Sequence, residues 1–303
     1  MTEIRDEIHE ATDRVAGSIE QAAIAQDADT AAPSAPESGL LDEPLAKRNF
    51  VYAIGRIEPR FPTLAVEKEF AQLAGREGTI GLTDQQALSS LLREPANRYL
   101  ARELCWVFTI GGLETYLLHP RDPADFGLLV DALRASPRPT DTDVVIGLLG
   151  PIAPPEVCNA LMVPIVAFDQ LYSFDVDSLV KSIPRPKGMK AEQFEPSAED
   201  LFMRFTQMTD NAGSTDEDRA LTYLSVREPN IYHVAAERIA AGATLSSVEV
   251  RPSRLSGVRN ILEVIFAYTH RKTNVIEKDF VRVDVTEKFP FLHSALKPFV
   301  EVP

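Results

Sequence analysis

The sequence predicts an α+β protein of two subdomains with antiparallel sheets and flanking helices, set behind a loose acidic tail. Three observations predict it. The 303 residues are 45% hydrophobic, enough to bury one generous core or two smaller ones. Strand-like and helix-like patterns come in blocks, as suits antiparallel sheets carrying helices. A polar, proline-bearing stretch divides the chain, giving a tail over 1–48, a first subdomain over 49–175, a connecting segment over 176–197 and a second subdomain over 198–303.

Residues 1–48 are rich in Ala, Asp, Glu, Ser and Pro and hold no aromatic side chain, too little apolar surface to offset the entropy of ordering. Ile4, Ile8, Val15 and Ile19 nevertheless share one face of a helix over 3–25, suited to docking on a partner or on the body. The fold begins at Asn49, where FVYAIG reads as a short buried strand ending at a glycine. Helices follow over Leu64 to Ala74 and, behind the capping residue Thr83, over Asp84 to Arg93, the latter stopped by Pro95. A third is expected over Ala96 to Leu104. CWVFTI and LETYLL around Gly111-Gly112 predict a β-hairpin, because two glycines accept the positive φ of a tight primed turn.

A helix over Ala124 to Ala135 and the strands VVIGLLG and VPIVAFDQLYSF complete the first subdomain. The second opens with a helix over Ala198 to Met208. Ser214 and Glu217 have capping-box spacing for the next helix, which runs to about Arg227, and Pro229 starts another ending near Gly242. Three strands are expected over Leu245 to Val250, Val258 to Thr269 and Val275 to Val285. In the third, Val281, Val283 and Val285 share one face and Arg282 and Asp284 the other.

Charge narrows the function classes. A formal net charge of −14 repels a polyphosphate backbone, so nucleic acid is not an expected partner. The apolar runs fall far short of the roughly 20 residues of a membrane span, and the amphiphilic start has no apolar signal region, so no membrane is expected and the localisation is expected to be cytoplasmic. Two cysteines in a chain of this length argue against a disulfide scaffold, and Cys105 and Cys158 are expected as thiols in a reducing compartment. An isologous homodimer with both near its axis would gather four thiolates, enough for tetrahedral zinc, so they are also candidate zinc ligands; the plainer reading is two small buried side chains.

Chemistry is thin elsewhere. Phosphate loops, the G-x-S-x-G elbow, H-E-x-x-H and C-x-x-C are all missing. His119, His233, His270 and His293 are available as bases for a Ser/His/Asp site assembled from distant positions. Arg121 and Asp122 sit between two prolines in HPRDPAD, a rigid loop able to offer a charge pair to a ligand. Arg219, Arg259, His270, Arg271 and Lys272 are the most basic part of an acidic chain and are candidates to receive a carboxylate-bearing peptide; for Arg219 an ion pair with Asp216 or Glu217 is preferred.

VYAIGRIEPRFPTLAVEKEFAQ, RELCWVFTIGGLETYLLHPRDPADF, PPEVCNALMVPIVAFDQLYSF, DNAGSTDEDRALTYLSVREPNIY and NILEVIFAYTHRKTNVIEKDFVRVDVTEKFPFL together resemble the C-terminal domain of unknown function of cyanobactin maturation proteases of the PatG type. The likeness runs from Asn49 to Pro303. In that family the domain is appended to subtilisin-like proteases that cut or cyclise ribosomally made precursor peptides, and it is not itself the protease. No protease module precedes it here, so the resemblance implies a stand-alone, crocagin-like accessory protein of a ribosomal-peptide pathway. It offers no agreed catalytic residue. The expected function is non-catalytic binding of a precursor peptide, assisting tailoring enzymes as partners, with a homodimer expected. The rivals are a structural scaffold subunit and a peptidase, cyclase or isomerase using a cysteine with a histidine.

Overall fold

A computed structural model describes residues 49–76, 82–207 and 211–299; the helix expected over 3–25 lies outside them. Five strands close into a barrel in the order β1-β2-β3-β5-β4. They are β1 (Phe50–Arg60), β2 (Cys105–Ile110), β3 (Leu113–Pro120), β4 (Asp141–Ile152) and β5 (Pro164–Asp175). All pairings are antiparallel, as expected, except β3 with β5, which run parallel. β1 does not end at Gly55. There it changes partner, pairing with β4 through Gly55 and with β2 from Arg56 onward, so a single strand serves both closing seams of the barrel.

Alternation along β1 decides what each residue touches. Val51 and Ala53 join Trp106, Phe108, Val166 and Phe168 in one core, together with Leu91 and Leu92 of α2 (Asp84–Arg93) and Leu129 of α4 (Phe126–Ala132). Tyr52 turns the other way, to Val144 and Ile146 and a layer that includes Tyr172, Tyr223 and Val226. The remaining helices of this half are α1 (Leu64–Arg76) and the four-residue α3 (Leu100–Glu103). The expected helix over 96–104 is instead a 3₁₀ turn, Pro95–Asn97, followed by α3, and that over 124–135 is a 3₁₀ turn, Pro123–Asp125, followed by the shorter α4. Thr83 caps α2 with a reciprocal Gln86 bond. Gly111 and Gly112 both hold positive φ, +59° and +82°, in the hairpin turn the sequence predicts.

Residues 176–197, expected as a connection, are largely helical: α5 (Val176–Ser182) is capped by Asp175, and α6 (Ala191–Gln207) begins well before Pro196 and carries it inside. α7 (Asp216–Arg227) has its capping box one residue on from the expected place, at Thr215 and Asp218. α8 (Pro229–Ala240) follows. A four-stranded meander, β6-β7-β8-β9, lies against these helices: β6 (Ala243–Pro252), β7 (Ile261–His270), β8 (Ile276–Asp284) and β9 (Phe291–Pro298). Val281, Val283 and Val285 do share a face, packed with Phe194, Phe202, Leu224 and Tyr232 of the helices. β9 is a fourth strand beyond the three expected.

Polar ties join the barrel to the helices and meander of the second half within the single unit 45–303. Tyr52 N donates to Gly213 O at 2.8 Å. Lys288, in the loop before β9, pairs with Asp169 of β5 at 2.9 Å. Arg219 of α7 donates to Val285 O at 3.0 Å and to Glu287 O while its guanidinium lies 5.1 Å from the Phe50 ring centroid.

Candidate functional site

The side chains singled out as a peptide site are dispersed and already engaged. Arg121 pairs with Asp169 at 2.7 Å rather than with Asp122, whose carboxylate accepts from Ala124 N at 2.8 Å to cap the 3₁₀ turn. Arg219 is 2% exposed and pairs with Asp216 at 2.7 Å, so the ion-pair reading holds and this residue is a structural brace. Arg259 pairs with Asp284 and lies over the Phe291 ring. His270 accepts from Lys272 N and Thr273 N through Nδ1, closing the β7–β8 turn that also holds Arg271 and Lys272. Arg259 stands just before β7 and His270 at its far end, and the strand alone spans about 30 Å at 3.3 Å per residue. They form no common site.

Cys105 of β2 and Cys158 of the β4–β5 loop are joined as a disulfide, with Cα atoms 5.8 Å apart. This corrects the expectation of two thiols: bonded sulfurs have no thiolate to give a metal. Both are buried with Val107, Leu117 and Ala153. Among the described residues no group of three or more His, Cys, Asp or Glu is arranged to hold a metal.

A different place gathers chemistry. Between β5, α5 and α7 lies a cleft of about 570 Å³ walled by Tyr172, Phe174, Leu179 and Val226, with Arg227 at its side. It continues past Leu179, Ser182, Val226 and Arg227 into a recess of about 200 Å³ lined by Ile183, Pro184, Pro229 and Tyr232. Each wall follows from local sequence. Tyr172 and Phe174 are two apart on a strand and so face the same way, their rings stacked at 6.5 Å. Arg227 ends α7 just before Pro229, which opens α8 at its first position. The Arg227 guanidinium lies 5.2 Å from the Tyr172 ring centroid, a cation–π arrangement.

Beneath it the Tyr52 and Tyr172 hydroxyls share a hydrogen bond of 2.9 Å. Burial pushes both phenols above their ordinary value, so they stay protonated at neutral pH. Glu228, the acid nearest in sequence, is occupied: it accepts from Asn230 N and Nδ2. Among the described residues no carboxylate forms a salt bridge with Arg227. Sequence reasoning passed over this cleft; the signal available was the Tyr-x-Phe step at 172 and 174.

The barrel, its helices and the appended meander define an α+β protein of two subdomains. A model of the PatG domain matches residues 50–247, and the chain belongs to that family. A solved structure described as "PatG Domain of Unknown Function" superposes with a TM-score of 0.65 at 19% identity, covering 83% of this chain and 98% of that one. No curated protein matches the chain.

Proposed function

We propose that this protein binds a ribosomally made precursor peptide without transforming it, and so assists partner enzymes of a cyanobactin-type pathway. Family membership supports the pathway class. The observation that carries the binding mode is β9. It is one of the two outer strands of the meander, with β8 on one side and, among the described residues, no strand on the other, and its side chains alternate between half-buried and exposed. An extended peptide added there gains main-chain bonds for affinity and alternate side-chain contacts for selectivity. Phe291, 42% exposed, and Lys297, over the Phe280 ring, supply an aromatic and a cationic contact beside that margin.

No described histidine hydrogen-bonds a serine hydroxyl or a carboxylate. His119 and His233 contact backbone carbonyls, and His270 serves its turn. That supports binding over catalysis. Titration calorimetry with the cognate precursor should give saturable binding on the order of micromolar Kd, with the peptide's mass unchanged after prolonged incubation. Precursors N-methylated at alternate backbone nitrogens should bind at least about tenfold more weakly in one of the two registers. A precursor that fails to bind, or one converted by this protein alone, would refute the proposal.

A further inference from the structure

We infer that the cleft between β5, α5 and α7 is a receptor for a peptide C-terminus: its α-carboxylate on Arg227 and the Tyr172 hydroxyl, its apolar last side chain between Tyr172, Phe174 and Leu179. The inference rests on the peptide-binding reading above but concerns a different surface from the β9 margin.

Counting donors and acceptors leads there. Two phenols joined by one hydrogen bond have two hydroxyl protons and use one of them. No described residue accepts the other. Tyr52 is 2% exposed, so when it donates to Tyr172, the Tyr172 proton is free to point into the cleft. Arg227 beside it has donors only; part of its fork hydrogen-bonds the Tyr52 and Tyr172 oxygens, and no carboxylate among the described residues takes up the rest. A site that offers the remaining edge of a guanidinium fork and a protonated phenol, with the neighbouring Glu228 carboxylate already accepting from Asn230, asks for an oxyanion. The surroundings then specify which. Tyr172, Phe174, Leu179 and Val226 are apolar walls of the same cleft as the cation, and the recess beyond is lined by Ile183, Pro184 and the engaged Glu228. Free phosphate would leave that apolar volume unfilled, whereas a terminal residue such as Phe or Leu presents a carboxylate and an apolar side chain on adjacent atoms. The total space suits one or two residues, within the range of small-ligand sites.

The test uses the full chain and three N-acetylated tripeptides: Ala-Ala-Phe as the free acid, the same peptide as the C-terminal amide, and Ala-Glu-Phe amide, which moves the carboxylate to a side chain. The free acid is expected to bind at least about tenfold more tightly than either amide, a difference of about 1.4 kcal/mol. Arg227 is solvent-exposed at the end of its helix, so Arg227→Gln should keep the native melting curve while abolishing the preference for the acid. Tyr172→Phe should reduce that preference severalfold, and Arg227→Lys should retain part of it. Equal binding of acid and amide, binding by none of the peptides, or a preference that survives Arg227→Gln each overturns the inference. If the whole precursor binds while the free acid does not, only this inference falls; loss of both removes the peptide-binding reading as well.

Discussion

Gly213 sits where α7, β1 and the loop before α7 converge. Its φ is +70°, and a Cβ added there would stand 2.4 Å from Tyr52 O and 2.6 Å from the Ala53 Cα. The same residue's carbonyl accepts from Tyr52 N. Neither the dihedral nor the space admits a side chain, and the obstructing atoms are backbone, which cannot swing aside. Gly213→Ala is therefore expected to lower stability by about 2 kcal/mol or more, read as a shift in urea midpoint; a loss below about 0.5 kcal/mol would show that the approach is not as close as described. Because Tyr52 carries one of the cleft hydroxyls, the substitution should also weaken binding of the free-acid peptide. None of this is visible in the sequence: Asn-Ala-Gly reads as a turn, as it is, but nothing local says that a strand 160 residues away occupies the space a methyl would need.

The meander's outer face shows what an element does with charge. Glu263 of β7 is 6% exposed, and Asp284 of β8 is 1% exposed. Burial works against their ionisation, but Arg282, Ser253 and Arg251 around Glu263, and Arg259 and Thr286 around Asp284, outweigh it and hold both carboxyls below their ordinary values. In the native state these groups resist protonation while the unfolded chain accepts protons near pH 4, so the stability they contribute is present above that pH and lost as pH falls through their lower folded values. Asp143 and Asp218 run the other way: burial raises them, so their protonation favours the fold.

The readout is therefore a comparison between proteins. Asp284→Asn should be less stable than the parent at pH 7, and the gap should narrow steadily below pH 4; parallel curves down to pH 2 would contradict the assignment. At this scale the sequence was legible where pattern and burial coincide. Val281, Val283 and Val285 alternate because one face of β8 is core, and Thr83 is followed by Gln at the spacing that a capping box requires. β9 was not legible, since FLHSALKP at an outer strand keeps most side chains in water and loses the apolar alternation that marks a strand. Pro196 hid the first turns of α6 because a proline inside a helix ordinarily reads as a stop.

At the scale of the whole molecule, closure depends on contacts that no local pattern records. The cleft draws on Tyr172, Phe174, Leu179 and Arg227 with the Tyr52 hydroxyl of β1 beneath it, residues spread over 176 positions. The cysteines pose the same difficulty. At a sequence separation of 53, a pair of thiols and a bridge look alike in sequence, and only the fold of the β4–β5 loop against β2 brings the sulfurs together. In the chain-entropy account a cross-link closing a loop of that length restricts the unfolded chain by about 4 kcal/mol. The native contacts that surround it, Val107, Leu117 and Ala153, are apolar and do not depend on the bond. Reduction should thus leave the fold intact while lowering the denaturant midpoint by an amount approaching that figure, and Cys105→Ala with Cys158→Ala should start from the lowered midpoint and show no response to reductant. Unfolded protein purified without reductant should take up no maleimide until dithiothreitol is added. Two thiols labelled without reduction, or a midpoint indifferent to dithiothreitol, would return Cys105 and Cys158 to the status of independent side chains and reopen them as metal ligands.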